Sequence, residues 1–320
     1  MKPLLATLVL IAAALAAPHA SAQSWPQRPI RIVVPYPPGG PSDIVLRAAA
    51  GRMQAALNGQ PILIDNKPGA GGNLGAAEAA RAEPDGYTWV WVTDSVFTVN
   101  PHVYRNLGFK PDDLVPVTIA SEFSQTLVCH PAFGAKTVKE LVDKARTTNV
   151  SYASGGYGVP GHLAMELLLA DAGVKLQHVP YKGPAPAAQD VMGGQIPCGF
   201  LAGPTVLPHV RSGRLVALAV SGAKRSAVLP DVPTVAESGY PGYDATFFLA
   251  LYARKGTPAP IVARMHDALV DALKSPEVTE TLRLTDQTVV GNTPEQAAAR
   301  VAATARTWGA VAKRIDLHLD

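Results

Sequence analysis

The chain has 320 residues, 48% of them hydrophobic, and a formal charge of +3, which suits a large packed domain or two lobes with separate cores. So mild a charge gives no argument for nucleic acid as a partner, and two cysteines are too few for a disulfide-built scaffold. No H-E-x-x-H, C-x-x-C, P-loop or G-x-S-x-G is present, so no metal, phosphate-loop or nucleophile-elbow site is expected.

Residues 1–22 read as a secretory signal peptide: Lys2 gives the positive start, "LLATLVLIAAALAA" the apolar core, and Ala20, Ser21 and Ala22 the small-residue cleavage site. The run meets Pro18 too early for a spanning helix, which needs about 20 apolar residues. Export to the periplasm is the expectation. There "IRIVV", Ile30 to Val34, suits a buried strand, and Val45, Ala49, Met53 and Leu57 recur at helical spacing. Between them lies "PYPPGGPSD". Prolines fix this turn and remove donors, Gly39 and Gly40 allow close approach, and Ser42 or Asp43 can cap the following helix.

Further along, strands are expected at Pro61 to Ile64, Thr88 to Val92, Val150 to Ala153, Leu176 to Pro180, Ile196 to Leu201 and Leu215 to Val220. The intervening helices have readable ends. Thr137 with Glu140 and Thr293 with Gln296 form capping boxes, while Gly173 and the pair Gly193, Gly194 are stops. This alternation predicts α/β layers around mostly parallel sheets. The cluster Gly69, Gly71, Gly75 invites a dinucleotide reading, but "DNKP" separates it from its strand and no ribose-binding acid follows.

A second turn of the first design occurs in "YASGGYGVPGHLAMELL", where Ser154 to Gly161 lead from strand to helix. Helix N-termini carry unpaired amides and partial positive charge, so two such turns facing each other could hold one carboxylate between them. His162 in the second turn can be read as a base or as a packing residue. Cys129 and Cys198 leave two alternatives open, a disulfide permitted by export or two buried thiols in neighbouring strands.

The segments "WPQRPIRIVVPYPPGGPSDIVLR", "IDNKPGAGGNLGAAEAARAEPDGYT", "YASGGYGVPGHLAMELL", "VPYKGPAPAAQDVMGGQI" and "LPHVRSGRLVALAVSGAKRSAVLPDVPTVAESGYPGY" resemble the Bug family, the TctC-like extracytoplasmic solute receptors of tripartite tricarboxylate transporters, over essentially the whole mature chain. The resemblance implies a two-lobed periplasmic binding protein of type II-like fold with crossing hinge strands, closing like a Venus flytrap on a small carboxylate-bearing ligand. Lobe 1 would comprise 23–120 and 223–320, and lobe 2 residues 121–222, with crossings near Val115 to Ile119 and Val216 to Val220. Carried over by position, the first jaw would be Tyr36, Pro37, Gly39, Gly40, Ser42 and Asp43. The second would be Ser154, Gly155, Gly156, Tyr157, Gly158, Val159 and His162, with Tyr181, Ala202 and Gly203 nearby.

Two positions depart from the resemblance. Val159 stands where a hydroxyl is usual, and Asp94, followed by Ser95, stands where a small neutral residue is usual. Asp94 can cap a helix or face solvent, or it can face the ligand, where it would repel a second carboxylate and favour an organic acid or amino-acid-like ligand whose far end carries an amine, amide or hydroxyl. The resemblance also implies a strand neighbourhood that could bring Cys129 and Cys198 within bonding reach. It implies no cofactor, the membrane subunits of the transporter as partners, and a monomer. The rival reading is a secreted enzyme, either a dinucleotide-dependent oxidoreductase using the Gly69 loop or a hydrolase using His162.

Overall fold

The structure, a computed structural model, describes residues 25–319. The expected signal peptide lies outside the described residues. Two sheets form the frame. The first carries β1 (Ile30–Val34), β2 (Ile62–Asn66), β3 (Thr88–Thr93), β4 (Leu114–Phe123), β10 (Phe247–Arg254) and β11 (Gln287–Val289), in the order β11-β4-β10-β3-β1-β2. The second carries β5 (Gln125–Cys129), β6 (Ser151–Ser154), β7 (Gln177–Pro180), β8 (Cys198–Ala202) and β9 (Val216–Val220), in the order β7-β6-β8-β5-β9.

Helices flank both sheets. Around the first lie α1 (Pro41–Ala56), α2 (Asn73–Ala80) and the short α3 (Ser95–Thr98) and α4 (Asn100–Val103). The second carries α5 (Val138–Thr147), α6 (Pro160–Ala172), α7 (Pro184–Met192) and α8 (Gly203–Arg211). From the C-terminal part come α9 (Ala259–Leu273), α10 (Pro276–Leu284) and α11 (Pro294–Ile315). The expected caps explain several ends. Thr137 accepts from the Glu140 amide at 3.2 Å, the Thr293 and Gln296 box closes in both directions, and Gly173 ends α6 at φ +63°.

The α/β fold class holds, but the sheets are mixed rather than mostly parallel. Parallel pairs β1–β2, β1–β3, β6–β7 and β6–β8 arise from strand–helix–strand connections; β10 and β5 run antiparallel to both of their neighbours. Those two antiparallel strands sit where the chain changes sheets. The run Val115 to Ile119, expected as a crossing, stays in the first sheet, and the passage is at Ser124, between β4 and β5. Val216 to Val220 likewise stays in the second sheet; the return is completed only at Phe247. Between them Val235, Tyr243 and Ala245 are buried with the second sheet's core, and the Tyr243 hydroxyl donates to the Ala164 carbonyl of α6 at 2.6 Å.

The two passages are tied to one another. Ser221 Oγ accepts from the Gln125 amide at 2.9 Å and donates to the Ala245 carbonyl at 2.8 Å, while its own amide donates to the Gln125 carbonyl at 2.9 Å. Helix α11 packs on β4, α3 and α4 and reaches α6, carrying Trp308 into the second core with its ring stacked on Phe247 at 5.6 Å. Cys129 and Cys198 lie directly opposite one another in the antiparallel β5–β8 register, both buried and both free thiols. The disulfide is therefore absent from the structure, and the alternative of two packed thiols in neighbouring strands describes it.

Candidate functional site

Between the sheets lies a cavity of about 230 Å³, small beside the roughly 300–1,000 Å³ of common ligand sites. Four strand-to-helix turns converge on it, ending at the starts of α1, α6, α7 and α8.

In the first turn Gly39 sits at φ +77° and its amide donates to Asp43 Oδ2 at 2.9 Å. Burial opposes charge on Asp43, yet hydrogen bonds from Arg47, Gly39 and Asn66 outweigh it and hold the carboxyl below its usual range. Asp43 thus bolts the turn and does not line the cavity. Gly40 is the N-cap of α1 and brings no side chain, so the amides of the first helical turn have no side-chain partner at the cap. Ser42 is only 6% exposed, lines the cavity, and its hydroxyl is buried without a hydrogen-bond partner among the described residues. Tyr36 is fixed by Thr93, their hydroxyls 2.6 Å apart, and burial pushes its phenol up to about 12.

The second turn is held from behind. Ser154 Oγ accepts from the Gly156 amide at 3.2 Å and contacts His178 Nε2 at 2.7 Å. The Gly158 amide donates to His162 Nδ1 at 3.2 Å, which places the imidazole proton on Nε2. Burial, reinforced by His178 stacked at 4.1 Å, pushes His162 down to about 3, so it is neutral. The face turned to the cavity is made by Gly155, Val159, Pro160 and Gly161. Val159 caps α6 with no side-chain oxygen, which leaves the first-turn amides as the donors at that end.

Of the expected residues, Tyr36, Pro37, Gly39, Gly40, Ser42, Gly155, Val159 and Ala202 line the cavity. Ser154, Gly156, Gly158 and His162 support it from beneath, and Tyr157 is 53% exposed with its edge against His162 and His178. Tyr181 turns to Asp190, its hydroxyl donating at 2.5 Å, and Gly203 packs close to Asp286 and Thr285.

Asp94 and Ser95 are displaced from the expected role. Asp94 is fully buried behind the cavity wall, accepting from the Phe248 amide at 3.1 Å and from Thr98 Oγ1 at 3.3 Å, so it joins the end of β3 to β10. Burial pushes its carboxyl up to about 7. Ser95 is buried against Thr93, with 2.9 Å between hydroxyls. Among the described residues no acidic side chain lines the cavity, so no aspartate stands there to repel a second carboxylate.

The lining also brings in residues that the sequence reading passed over. Lys182, exposed at the rim, is the cationic side chain of the lining, and Gly183 after it starts a third turn at φ +111° against Pro37. Its signal was in the sequence: "YKGPAP" repeats the glycine-proline design of the first turn. Gln125, Phe123 and Leu249 come from the crossing strands, and Phe200 and Thr205 from around α8. These could be assigned only once the strand order was known. Among the described residues no group of three His, Cys, Asp or Glu side chains could hold a metal ion.

The chain is 36% identical over its whole length to protein BugT of Bordetella pertussis, covering 99% of that protein. The structure of the periplasmic binding protein BugD superposes with a TM-score of 0.85 at 32% identity, covering 92% of this chain and 99% of that one. MatC of Rhodopseudomonas palustris, with bound malate, gives 0.84 at 31% identity, covering 90% and 99%. Residues 45–317 match the model of the tripartite tricarboxylate transporter family receptor, TctC, and to that family of solute-binding proteins the chain belongs.

Proposed function

We propose that the cavity takes a small organic carboxylate from the periplasm and that the closed protein presents it to the membrane subunits of a tripartite transporter. One observation carries this reading: a cavity walled by four helix starts, with no acidic side chain and with the buried Ser42 hydroxyl left unpartnered, is built to receive an anion that brings acceptors. The anionic group is held by first-turn amides of α1 and α6 and by Ser42, with Lys182 adding a cation at the rim. A second carboxylate meets no repulsion, and malate in MatC supports a dicarboxylate. The protein acts as a monomer whose lobes move about Ser124 and the Ser221–Ala245 tie. Residues 125–245 form one lobe; the rest of the mature chain, the C-terminal strands and helices included, forms the other.

Enzymatic use of His162 has little support, since His162 is 3% exposed and its Nδ1 is engaged by Gly158. The Gly69 loop packs against Tyr36, Val96 and Tyr104. A thermal-shift screen of malate, succinate, glutarate, amino acids and aromatic acids tests the reading. A ligand at a hundredfold excess over its dissociation constant stabilises by about 2.7 kcal/mol, which is expected for at least one dicarboxylate. No shift with any carboxylate, together with turnover of an ester or a nicotinamide cofactor, would overturn it.

A further inference from the structure

The third glycine cluster has no place in the cavity, yet it meets the other lobe. Gly71 lies at φ +60°, and a Cβ there would stand 3.0 Å from the Tyr104 hydroxyl, 3.3 Å from Asn100 Nδ2 and 3.3 Å from the Tyr157 carbonyl oxygen. Tyr157 belongs to the second turn, across the cleft. Its neighbour Gly158, at φ +69°, is equally crowded: a Cβ would lie 3.3 Å from Asn100 Oδ1, 3.3 Å from the Tyr104 hydroxyl and 3.1 Å from Leu319 Cδ1. Two left-handed glycines, one from each lobe, thus allow the backbones to approach as no side chain would.

Asn100 stands between them. It is fully buried, its Nδ2 donating to the Gly71 carbonyl at 3.2 Å and to Asn73 Oδ1 at 2.7 Å, which sets the loop's shape. Its Oδ1 has no hydrogen-bond partner among the described residues and lies against Gly158, whose amide is committed to His162. None of these residues lines the cavity, but Tyr157 and Gly158 directly precede Val159, Pro160 and Gly161, which do.

We propose that Gly71 and Asn100 are positioning residues: from the first lobe they hold the back of the second lobe's anion-facing turn, so that closing the seam sets the turn for its ligand. This deepens the function proposed above and rests on it for the ligand's place. The seam fixes the fraction of protein in the binding-competent arrangement, so it scales affinity for every ligand alike.

The test compares Gly71→Ala and Gly158→Ala with Gly59→Ala and Gly213→Ala. The controls carry the same left-handed strain, at φ +71° and +72°, with nothing within 4 Å of the added methyl. In the ligand-free protein, hydrogen exchange over 155–163 is expected to quicken in Gly71→Ala, a change made in the opposite lobe, and to stay unchanged in both controls. By calorimetry with malate and succinate, both seam variants are expected to lose roughly tenfold in affinity for each acid, the preference between them kept. Unchanged exchange over 155–163 in Gly71→Ala, or equal quickening in Gly59→Ala, would overturn the inference. So would a change in the ratio of the two affinities. If exchange responds as expected while the wild type binds no carboxylate, the positioning role stands and the ligand assignment fails.

Discussion

Ser42 and Asp94 are both buried polar residues beside the cleft, and they do opposite things. Ser42 lines the cavity and its buried hydroxyl has no hydrogen-bond partner among the described residues, so the hydroxyl contributes no hydrogen bond to the fold. Ser42→Ala is expected to leave the melting temperature unchanged or slightly raised and to weaken carboxylate binding by about 1–2 kcal/mol, read by calorimetry; equal affinities would remove Ser42 from the site. Asp94 belongs to the fold. Its folded carboxyl is raised to about 7 by burial, so the folded state holds a proton that the unfolded chain has lost above roughly pH 4. Stability from this group is therefore full below the unfolded value and is lost as pH rises towards 7. Asp94→Asn, compared with wild type in denaturant titrations from pH 4 to 8, is expected to flatten that loss, on the order of a few kcal/mol, while leaving carboxylate affinity unchanged. A wild-type pH slope retained in the variant would contradict the burial account. Nothing in "VTDSV" distinguishes an aspartate facing a ligand from one capped by a neighbouring strand, because the partner, Phe248, is far away in sequence.

At the scale of elements, the turns were legible and the strand that joins the two halves of the first sheet was not. Glycine and proline mark the first, second and third turns because only they meet the backbone demands there, as at Gly39, Gly158 and Gly183, all with positive φ. By contrast β10, "FFLALYAR", is an unbroken apolar run with no period to separate strand from helix, although it is the strand joining β3 to β4. Helix α11 shows what such distant partners do. Trp308 is 5% exposed and stacks on Phe247, the residue at which the chain returns to the first sheet. Trp308→Ala is expected to cost about 3–5 kcal/mol and to lower one calorimetric transition as a unit. Splitting into two transitions would show instead that the lobes melt separately once the helix loosens.

For the molecule as a whole, the two-lobe plan could be inferred from resemblance, but the hinge could not. The position proposed for it rests on Ser221 bonding Gln125 and Ala245, a meeting of two passages that no local pattern encodes. Gln125 brings the meeting to the proposed site, for its backbone is held in the tie and the residue lines the cavity. The three turns differ from the hinge in kind. Prolines at 35, 37, 38 and 41, at 160, and at 184 and 186 stiffen them before any ligand arrives. Little loop freedom is left to lose at capture, so acids of different shape meet the same ready surface and enter at similar speed. Discrimination then falls on how long each remains, and the stiffness of a few turns becomes a clock for release.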